Sequence, residues 1–213
     1  DDWLARLEAA ELFAFDTETT SLDYMVAQIV GVSFAVEPGA AAYVPLAHDY
    51  PGAPDQLDRD AVLEALRPLL EDAQTAKVGQ HLKYDANVLA NHGITLRGIH
   101  DDTMLESYIL DAAGSRHDLD TLALKYLGQR TIHFEDIAGK GVKQLTFNQV
   151  PIEQAAPYAA EDAEVTLRLH QMLSEKLNQT PSLSTLYREL EMPLVPVLSR
   201  IERNGALVCR DTL

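Results

Sequence analysis

The chain has 213 residues, of which 46% are hydrophobic and 23% charged, and its formal net charge is -16. This composition is typical of a globular protein with one sizeable domain, or one domain and part of a second. It contains neither an apolar run of the roughly 18 residues that a membrane span needs nor a secretory signal, so no membrane contact is expected. The single cysteine, Cys209, excludes a disulfide within this chain and fits a reducing cytoplasm.

The excess of acidic residues limits the possible partners. With 17 Lys and Arg against 33 Asp and Glu, the chain has no basic stripe of the kind that binds duplex backbone. An acidic chain can still act on a phosphodiester when divalent cations neutralise both the site and the substrate. The charge by itself therefore argues against a nucleic-acid protein, unless metal ions take part.

The first half of the chain predicts a sheet with helices around it. Four strands are predicted, over 12–16, 28–36, 41–46 and 76–82. The second and third flank the turn EPGA as a hairpin. A helical apolar pattern covers 58–73, and another helix follows the fourth strand and ends at Gly93. Three leading strands, a fourth after the first long helix, and helices around them predict a mixed-sheet α/β fold.

The second half predicts mainly helices. Thr103 and Glu106 have the spacing of a capping box at the start of one of them. The polar, glycine-containing stretch 129–150 is predicted to be a long loop, and a long helix is predicted from Pro151.

One segment reads as a domain boundary. NQTPS, 178–182, separates the long helix from a new helical pattern that runs almost to the end of the chain. The sequence therefore predicts a first domain over 1–180 and the truncated start of a second domain over 181–213.

Two carboxylates interrupt the apolar strand FAFDTETT, 13–20. Residues two apart on a strand share a face, so Asp16 and Glu18 are expected to project together. A carboxylate pair suits Mg²⁺ or Mn²⁺, which prefer oxygen ligands. An isolated D-x-E is more often a solvent-facing strand end that leads into a turn, so this pair needs support from elsewhere in the chain.

Two further signals are weak when taken singly. Asp85 begins a helix after the fourth strand, where an acid can simply favour the helix dipole. Tyr158 and Asp162 are four residues apart and share one helix face, as a half-buried Tyr and a surface Asp often do. Only the combination of all three signals favours a metal site.

Taken together, FAFDTETTSLD, VGQHLKYDANVL and YAAEDAEVTL resemble the three motifs of the proofreading 3′-5′ exonuclease domain of bacterial family A DNA polymerases, the tyrosine-containing DEDD group. The resemblance extends over essentially the whole chain, through AAYVPLAHDY, DTMLESYIL, FEDIAGKG and LTFNQ to EMPLVPVLSRIERNG, which resembles the start of the polymerase domain. It implies a ribonuclease H-like fold with a five-stranded mixed sheet flanked by helices. It also implies a parent DNA polymerase that acts in replication and repair in the bacterial cytoplasm, at the nucleoid.

The same resemblance implies the catalytic residues. Asp16, Glu18, Asp85 and Asp162 would hold two divalent cations, Mg²⁺ or Mn²⁺, with Zn²⁺ as a substitute in crystals. Tyr158 would orient the attacking water. The implied reaction is two-metal hydrolysis that releases 5′-mononucleotides from a single-stranded or frayed DNA 3′ end, carried out by a monomer.

Seven further residues match substrate-side segments of that family: Thr19, Leu22, Gln80, His81, Tyr84, Arg116 and Phe134. Leu22 and Phe134 would lie against the terminal bases, because an apolar wedge or ring holds unpaired bases of any sequence. His81 departs from the family, which more usually has Asn there. An imidazole can take up a proton and so add a pH dependence that Asn lacks.

Two other interpretations remain open at this level. A ribonuclease D-like enzyme that trims RNA 3′ ends shares the same acids and the Tyr, although the segment after NQTPS favours the polymerase family. A catalytically silent exonuclease-like domain could instead serve as a scaffold for a polymerase, although such domains lack the metal carboxylates that this chain retains.

Overall fold

A five-stranded mixed sheet organises the computed structural model, which describes residues 2–114 and 116–209. The strands are β1 Leu12–Thr19, β2 Ile29–Glu37, β3 Ala40–Pro45, β4 Ala76–Gly79 and β5 Ile99–Asp102. Their spatial order is β3-β2-β1-β4-β5, with antiparallel pairing on the β2 side of β1 and parallel pairing on the β4 side. The predicted α/β class and mixed sheet are confirmed.

Helices cover both faces of this sheet. They are α1 Asp2–Ala9, α2 Arg59–Glu71, α3 Leu82–Asn91, α4 Thr103–Leu110, α5 Leu119–Leu122, α6 Phe134–Ala138, α7 Ile152–Asn178, α8 Pro181–Leu186 and α9 Met192–Asn204. Single π-helical segments extend α5 and α8. None of the helices in the described ranges combines the length and apolar character needed to cross a membrane.

The central strand β1 sends alternate side chains to two different helical layers. Phe13 and Phe15 are buried in a cluster with the apolar face of α3, whereas Ala14 packs against α7 on the other side of the sheet. A small residue at position 14 lets the long helix lie close to the strand. By the same alternation Asp16 and Glu18 follow Ala14 on the α7 face, and Thr17 follows Phe15 on the α3 face.

The capping box predicted for α4 is wrong. The N-cap is Asp102, whose carboxylate accepts hydrogen bonds from the backbone N–H groups of Met104 and Leu105. Thr103 is already helical, and its hydroxyl donates to the Gln80 side chain at 2.5 Å and lies 3.2 Å from the Gly79 carbonyl oxygen. Glu106 contacts α7 instead of reaching back to the cap. An Asp immediately before a Thr offers two possible caps, and the sequence alone did not separate them.

The predicted long loop at 129–150 is also wrong in part. It contains α6 and two 3₁₀ turns, Gly141–Lys143 and Phe147–Gln149. These elements have no more than five residues each, too few to show a helical period in the sequence. Phe147 is buried and lies beside Phe134 and Tyr158, so the segment packs onto the domain.

The break predicted at NQTPS coincides with the end of α7 and the start of α8. Beyond it, α9 returns to α3, where Ser199 donates to the Asn87 side chain and Arg203 to the Asn87 carbonyl. The division into 1–180 and 181–213 stays a prediction. Asp1, Ser115 and 210–213, which fall within those predicted segments, lie outside the described residues.

Candidate functional site

The end of β1, the start of α3 and the middle of α7 meet at one cavity of about 390 Å³. All five predicted catalytic residues line it, namely Asp16, Glu18, Asp85, Tyr158 and Asp162. Asp16 and Glu18 are half-buried on the face of β1 that α7 covers, and one helical turn separates Tyr158 from Asp162. The structure therefore brings together residues that the sequence places on three separate elements.

Asp85 reaches the cavity from the opposite side of the sheet, where α3 lies. Its Oδ1 accepts two hydrogen bonds from Thr17, one from the backbone N–H at 3.0 Å and one from the hydroxyl at 2.6 Å. These bonds are possible because β4 is shorter than β1 and its last pairing with β1 is Ala14 with Val78. Beyond that point the edge of β1 is free for the carboxylate.

A close approach at Gly79 fixes where α3 begins. A Cβ atom there would lie 2.4 Å from the Leu82 side chain and 3.0 Å from the Phe15 carbonyl. Any larger residue would therefore displace the side chain of Leu82, the first residue of α3.

The carboxylates share one electrostatic environment. Burial raises the pKa of Asp16 to about 6. Burial also raises the pKa of Glu18 well above its ordinary value, and the charges of Asp16, Asp162 and Asp85 add to that shift. Burial and the charge of Asp16 likewise raise the pKa values of Asp85 and Asp162. Each acid thus loses hydration and repels its neighbours, which a bound cation would relieve.

One fully buried carboxylate oxygen in this group has no protein partner. Glu18 Oε1 is buried and makes no hydrogen bond. A buried anionic oxygen without a donor is costly, so the site needs positive charge at this point. Four oxygen-donor side chains with an unsatisfied oxygen among them fit a hard divalent cation.

Tyr158 is suited to donate a hydrogen bond and unsuited to act as a base. Burial, followed by the charges of Asp162, Glu18 and Asp16, raises the pKa of its phenol far above the ordinary value. The hydroxyl therefore stays protonated at neutral pH and can donate to an oxygen placed in the cavity.

Six of the seven predicted substrate residues lie at this cavity or at the adjoining one of about 480 Å³. The first is lined by Thr19, Leu22, Gln80, His81 and Tyr84, and the second by Thr19, Leu22 and Phe134. Leu22 is 93% exposed, and Phe134 is stacked on Phe147 with ring centroids 6.2 Å apart. Arg116 is not among the lining residues of either cavity; it is exposed and pairs with Asp118 at 2.9 Å.

Several of the polar residues among them are held by other side chains. The Thr19 and Tyr84 hydroxyls are 2.5 Å apart, and Tyr84 also donates to the Ser21 carbonyl. The Gln80 amide donates to the His117 carbonyl and accepts from Thr103. Their orientation at the cavity is therefore fixed by the protein.

His81 has a left-handed backbone conformation, with φ of 66°, and precedes α3. That region is costly for most side chains and easiest for Gly and Asn, which gives a physical reason for the Asn that the family more usually has there. The conformation is anchored by Asp102, whose Oδ1 accepts from the His81 N–H and whose Oδ2 accepts from the Leu82 N–H.

Sequence reasoning missed three contributors to the site: Thr17, Asp102 and Phe147. Thr17 lies between the two acids of the first motif. Strand alternation places its side chain on the opposite face from theirs, and this alternation was the sequence signal that could have pointed to it. Asp102 caps both α3 and α4 from a strand that the sequence pattern did not show. Phe147 lay in a segment interpreted as loop.

A second acidic cluster, distinct from the predicted one, lies between β5, α4 and α7. It consists of Asp101, Glu106 and His170, whose ligand atoms all lie within 4.8 Å of one another. Among the described residues, this group has ligand atoms close enough together to hold a metal ion. The ligand atoms of the four predicted carboxylates do not all lie within that distance of one another. Arg188 already contacts Asp101 at 2.8 Å, so this cluster has a cation of its own.

Comparison with known proteins identifies the family. A sequence model described as 3′-5′ exonuclease matches residues 1–178. The chain belongs to this 3′-5′ exonuclease family. It is 70% identical to the DNA polymerase I of Pseudomonas aeruginosa and 45% identical to that of Rhizobium leguminosarum. Each match covers 100% of this chain but only 24% and 22% of the relative, so the chain spans about a quarter of their length.

Solved structures show the same fold at low sequence identity. The POL domain of Pol1 from M. smegmatis, in complex with DNA primer-template and dNTP, has a TM-score of 0.74 and 23% identity over 97% of this chain and 31% of that one. Brucella melitensis NrnC with bound Mg²⁺ has a TM-score of 0.64 and 20% identity over 92% of this chain and 87% of that one. The resemblance drawn from the motifs is thus confirmed: the chain is a 3′-5′ exonuclease domain of the DNA polymerase I type.

Proposed function

We propose that this domain removes nucleotides from a single-stranded or frayed DNA 3′ end by two-metal hydrolysis and releases 5′-mononucleotides. Asp16, Glu18, Asp85 and Asp162 would hold two divalent cations, Mg²⁺ or Mn²⁺. The observation that carries the proposal is the convergence of these four acids on one cavity, where burial raises the pKa of each, the charge of Asp16 raises those of the other three, and Glu18 has a buried, unpartnered oxygen.

When bound, two such cations would activate the attacking water and stabilise the leaving 3′ oxygen. The protein's own groups supply the orientation. The Tyr158 hydroxyl, protonated at neutral pH, donates to the water and holds it in line with the scissile bond. Glu18, which lines the same cavity, can accept a hydrogen bond from that water as well as bind a cation.

The substrate end would occupy the two adjoining cavities. Leu22 is almost fully exposed, and its apolar side chain would pack against the terminal base. The stacked rings of Phe134 and Phe147 would offer a second apolar surface to the bases. Thr19, Gln80, His81 and Tyr84 line the path to the acids. Arg116, exposed outside these cavities, belongs to the proposal only through the family resemblance.

The activity of the whole protein is likewise a proposal. We infer that residues 181–213 begin a polymerase domain, and that the parent chain is a monomeric DNA polymerase of replication and repair at the bacterial nucleoid. The net charge of -16 agrees with a parent chain in which the polymerase domain binds the duplex, because that domain would supply the basic cleft that this one lacks.

The test uses 5′-labelled single-stranded DNA and a matched RNA oligonucleotide with Mg²⁺, with Mn²⁺ and with excess EDTA. We expect the DNA to shorten from its 3′ end only when a divalent cation is present. Full activity in EDTA would reject the two-metal mechanism. Faster loss of the RNA would favour the ribonuclease D-like alternative, and no cleavage under any condition would favour the silent scaffold.

A further inference from the structure

We propose that Thr17 is a positioning residue for the metal site. From the α3 face of the sheet it holds Oδ1 of Asp85, so that the second carboxylate oxygen, Oδ2, is left for a cation. This inference rests on the proposed function, because it assigns Asp85 as a ligand.

The first argument is the direction of the three consecutive side chains. Asp16 and Glu18 face α7, while Thr17 faces α3 and is 6% exposed. Asp85 is the one proposed ligand that arrives from the α3 side. Thr17, which lies between the two acids, is therefore the residue of this motif whose side chain can reach Asp85.

The second argument is the double hydrogen bond. The Thr17 hydroxyl and backbone N–H both donate to the same oxygen, at 2.6 and 3.0 Å, and that oxygen lies 68 positions away in the sequence. The torsion that rotates an Asp carboxylate is broad, so nothing intrinsic selects which oxygen faces the cavity. Two donors on Oδ1 remove that freedom. Hydrogen bonds to a charged oxygen are also the strong ones.

The third argument is that the support comes from β1 itself. Because the pairing of β4 with β1 ends at Val78, the strand edge beside Asp85 carries no neighbouring strand. Thr17 thus links the third acid directly to the strand that carries the first two. A change at position 17 should move Asp85 relative to Asp16 and Glu18.

The competing explanation is an ordinary buried threonine, favoured because β-branched residues suit strands. The two explanations differ in what the hydroxyl does. If Thr17 is only a strand residue, its replacement should change the free energy of unfolding and leave the affinity for metal ions unchanged. If it positions Asp85, metal affinity should follow the hydroxyl.

The test is the binding of Mn²⁺ to the purified chain, measured by titration calorimetry without substrate, together with the free energy of unfolding. Thr17→Val keeps the branched shape and loses the hydroxyl, and we expect Mn²⁺ affinity to fall about 10- to 100-fold, the range known for groups that orient metal ligands. Thr17→Ser keeps the hydroxyl and should stay within about threefold of the wild type.

A second pair keeps the test decisive if the valine variant does not fold. Thr17→Ala and Thr17→Ser differ only in the hydroxyl, and alanine should bind Mn²⁺ at least about tenfold more weakly than serine. In an Asp85→Asn background, Thr17→Val should cause little further loss. Equal Mn²⁺ affinity within each pair, or an undiminished loss in the Asp85→Asn background, would overturn the inference.

The experiment also separates the two proposals. If Asp85→Ala abolishes Mn²⁺ binding while Thr17→Val binds like the wild type, only the role of Thr17 fails. If Asp85→Ala binds Mn²⁺ like the wild type, the proposed ligand set itself fails, and with it the inference about Thr17.

Discussion

Two acidic clusters in this domain differ in whether cationic side chains lie beside them. At the cavity, burial raises the pKa values of Asp16, Glu18, Asp85 and Asp162, the charge of Asp16 adds to the shifts of the other three, and the buried Glu18 Oε1 has no partner. Between β5, α4 and α7, the acids of the second cluster have cationic side chains beside them, although Glu106 Oε2 is also buried without a hydrogen-bond partner. Asp101 Oδ1 contacts Arg188 at 2.8 Å and accepts from Tyr187, and Glu106 accepts from His170 at 2.9 Å.

The position of His170 makes the contrast sharper. Its Nδ1 faces Glu106 and its Nε2 faces Asp101 Oδ2 at 3.6 Å, so the imidazole bridges two carboxylates. With Arg188 on the far oxygen of Asp101, this cluster balances its own charge. Burial of acids is therefore a poor sign of a metal site by itself, and the absence of a compensating cation beside them is a better one.

The largest expected effect separates the clusters by activity. Asp85→Ala should lower mononucleotide release by at least about a thousandfold, or ~4 kcal/mol in the barrier, because it removes a proposed metal ligand. Single-turnover cleavage of labelled DNA measures it. The matched change in the other cluster, Asp101→Asn, should stay within about threefold, and similar losses in both variants would remove the distinction drawn between them.

The next effect concerns where an added cation binds. Mn²⁺ at about 100 times its Kd should raise the free energy of unfolding by ~2.7 kcal/mol, measured by urea denaturation. Asp162→Asn should lose most of this gain, because it removes a proposed ligand. His170→Asn should keep it. If the histidine variant loses the gain and the aspartate variant does not, the cation binds at the second cluster.

The compensated cluster should make stability depend on pH. Burial raises the pKa of Glu106 from 4.5 to about 7. Burial opposes the charged form of His170, but the hydrogen bond and charge of Glu106 and the charge of Asp101 raise its pKa above 6.5. A raised pKa means that the folded state holds the proton more tightly than the unfolded state does. The stabilisation is therefore complete at pH values below the pKa of the unfolded state, and it is lost as the pH rises through the pKa of the folded state.

We therefore expect this cluster to lower the free energy of unfolding by about 1–3 kcal/mol between pH 5 and pH 8 in EDTA, in addition to the fall caused by the four cavity acids, whose raised pKa values act in the same direction. Glu106→Gln should flatten this dependence, since it removes one titrating group and the main support for the charge on His170. An unchanged slope in the glutamine variant would assign the pH dependence to other groups.

The smallest expected effect tests the arginine. Arg188→Met should lower the free energy of unfolding by ~1 kcal/mol, less than for a fully buried ion pair, because the guanidinium is 40% exposed and Asp101 keeps its bonds to Tyr187 and His100. The Arg188→Lys variant should recover part of the loss. Exonuclease activity should not change, and a large fall in activity would link the two clusters.

Much of the fold followed from local pattern. Alternation and helical period predicted β1, β2, β3, α2 and α7, because these segments are long enough to show a period. The strand β5 has four residues, two of them acidic, and only the family resemblance implied it. The helix α1 and the short helices of 129–150 were missed because they are brief or polar.

For the site, the spacing of the acids gave only weak candidates, and it was the family resemblance that selected Asp16, Glu18, Asp85, Tyr158 and Asp162. It could not select Thr17 or Asp102, whose roles depend on contacts with residues far along the chain. The misassigned capping box has the same cause: Glu106 was read with Thr103, three residues away, whereas its partner is His170 on another helix.

The sequence by itself determined the family, the fold class and the residue types available for metal chemistry. The tertiary structure decided which acids remain uncompensated. In the sequence, the acids of FAFDTETT and of GIHDDTMLE look alike. They differ because Arg188 and His170 fold against the second group, whereas the first group meets other carboxylates, and charge compensation depends on distance in space, which sequence separation does not give.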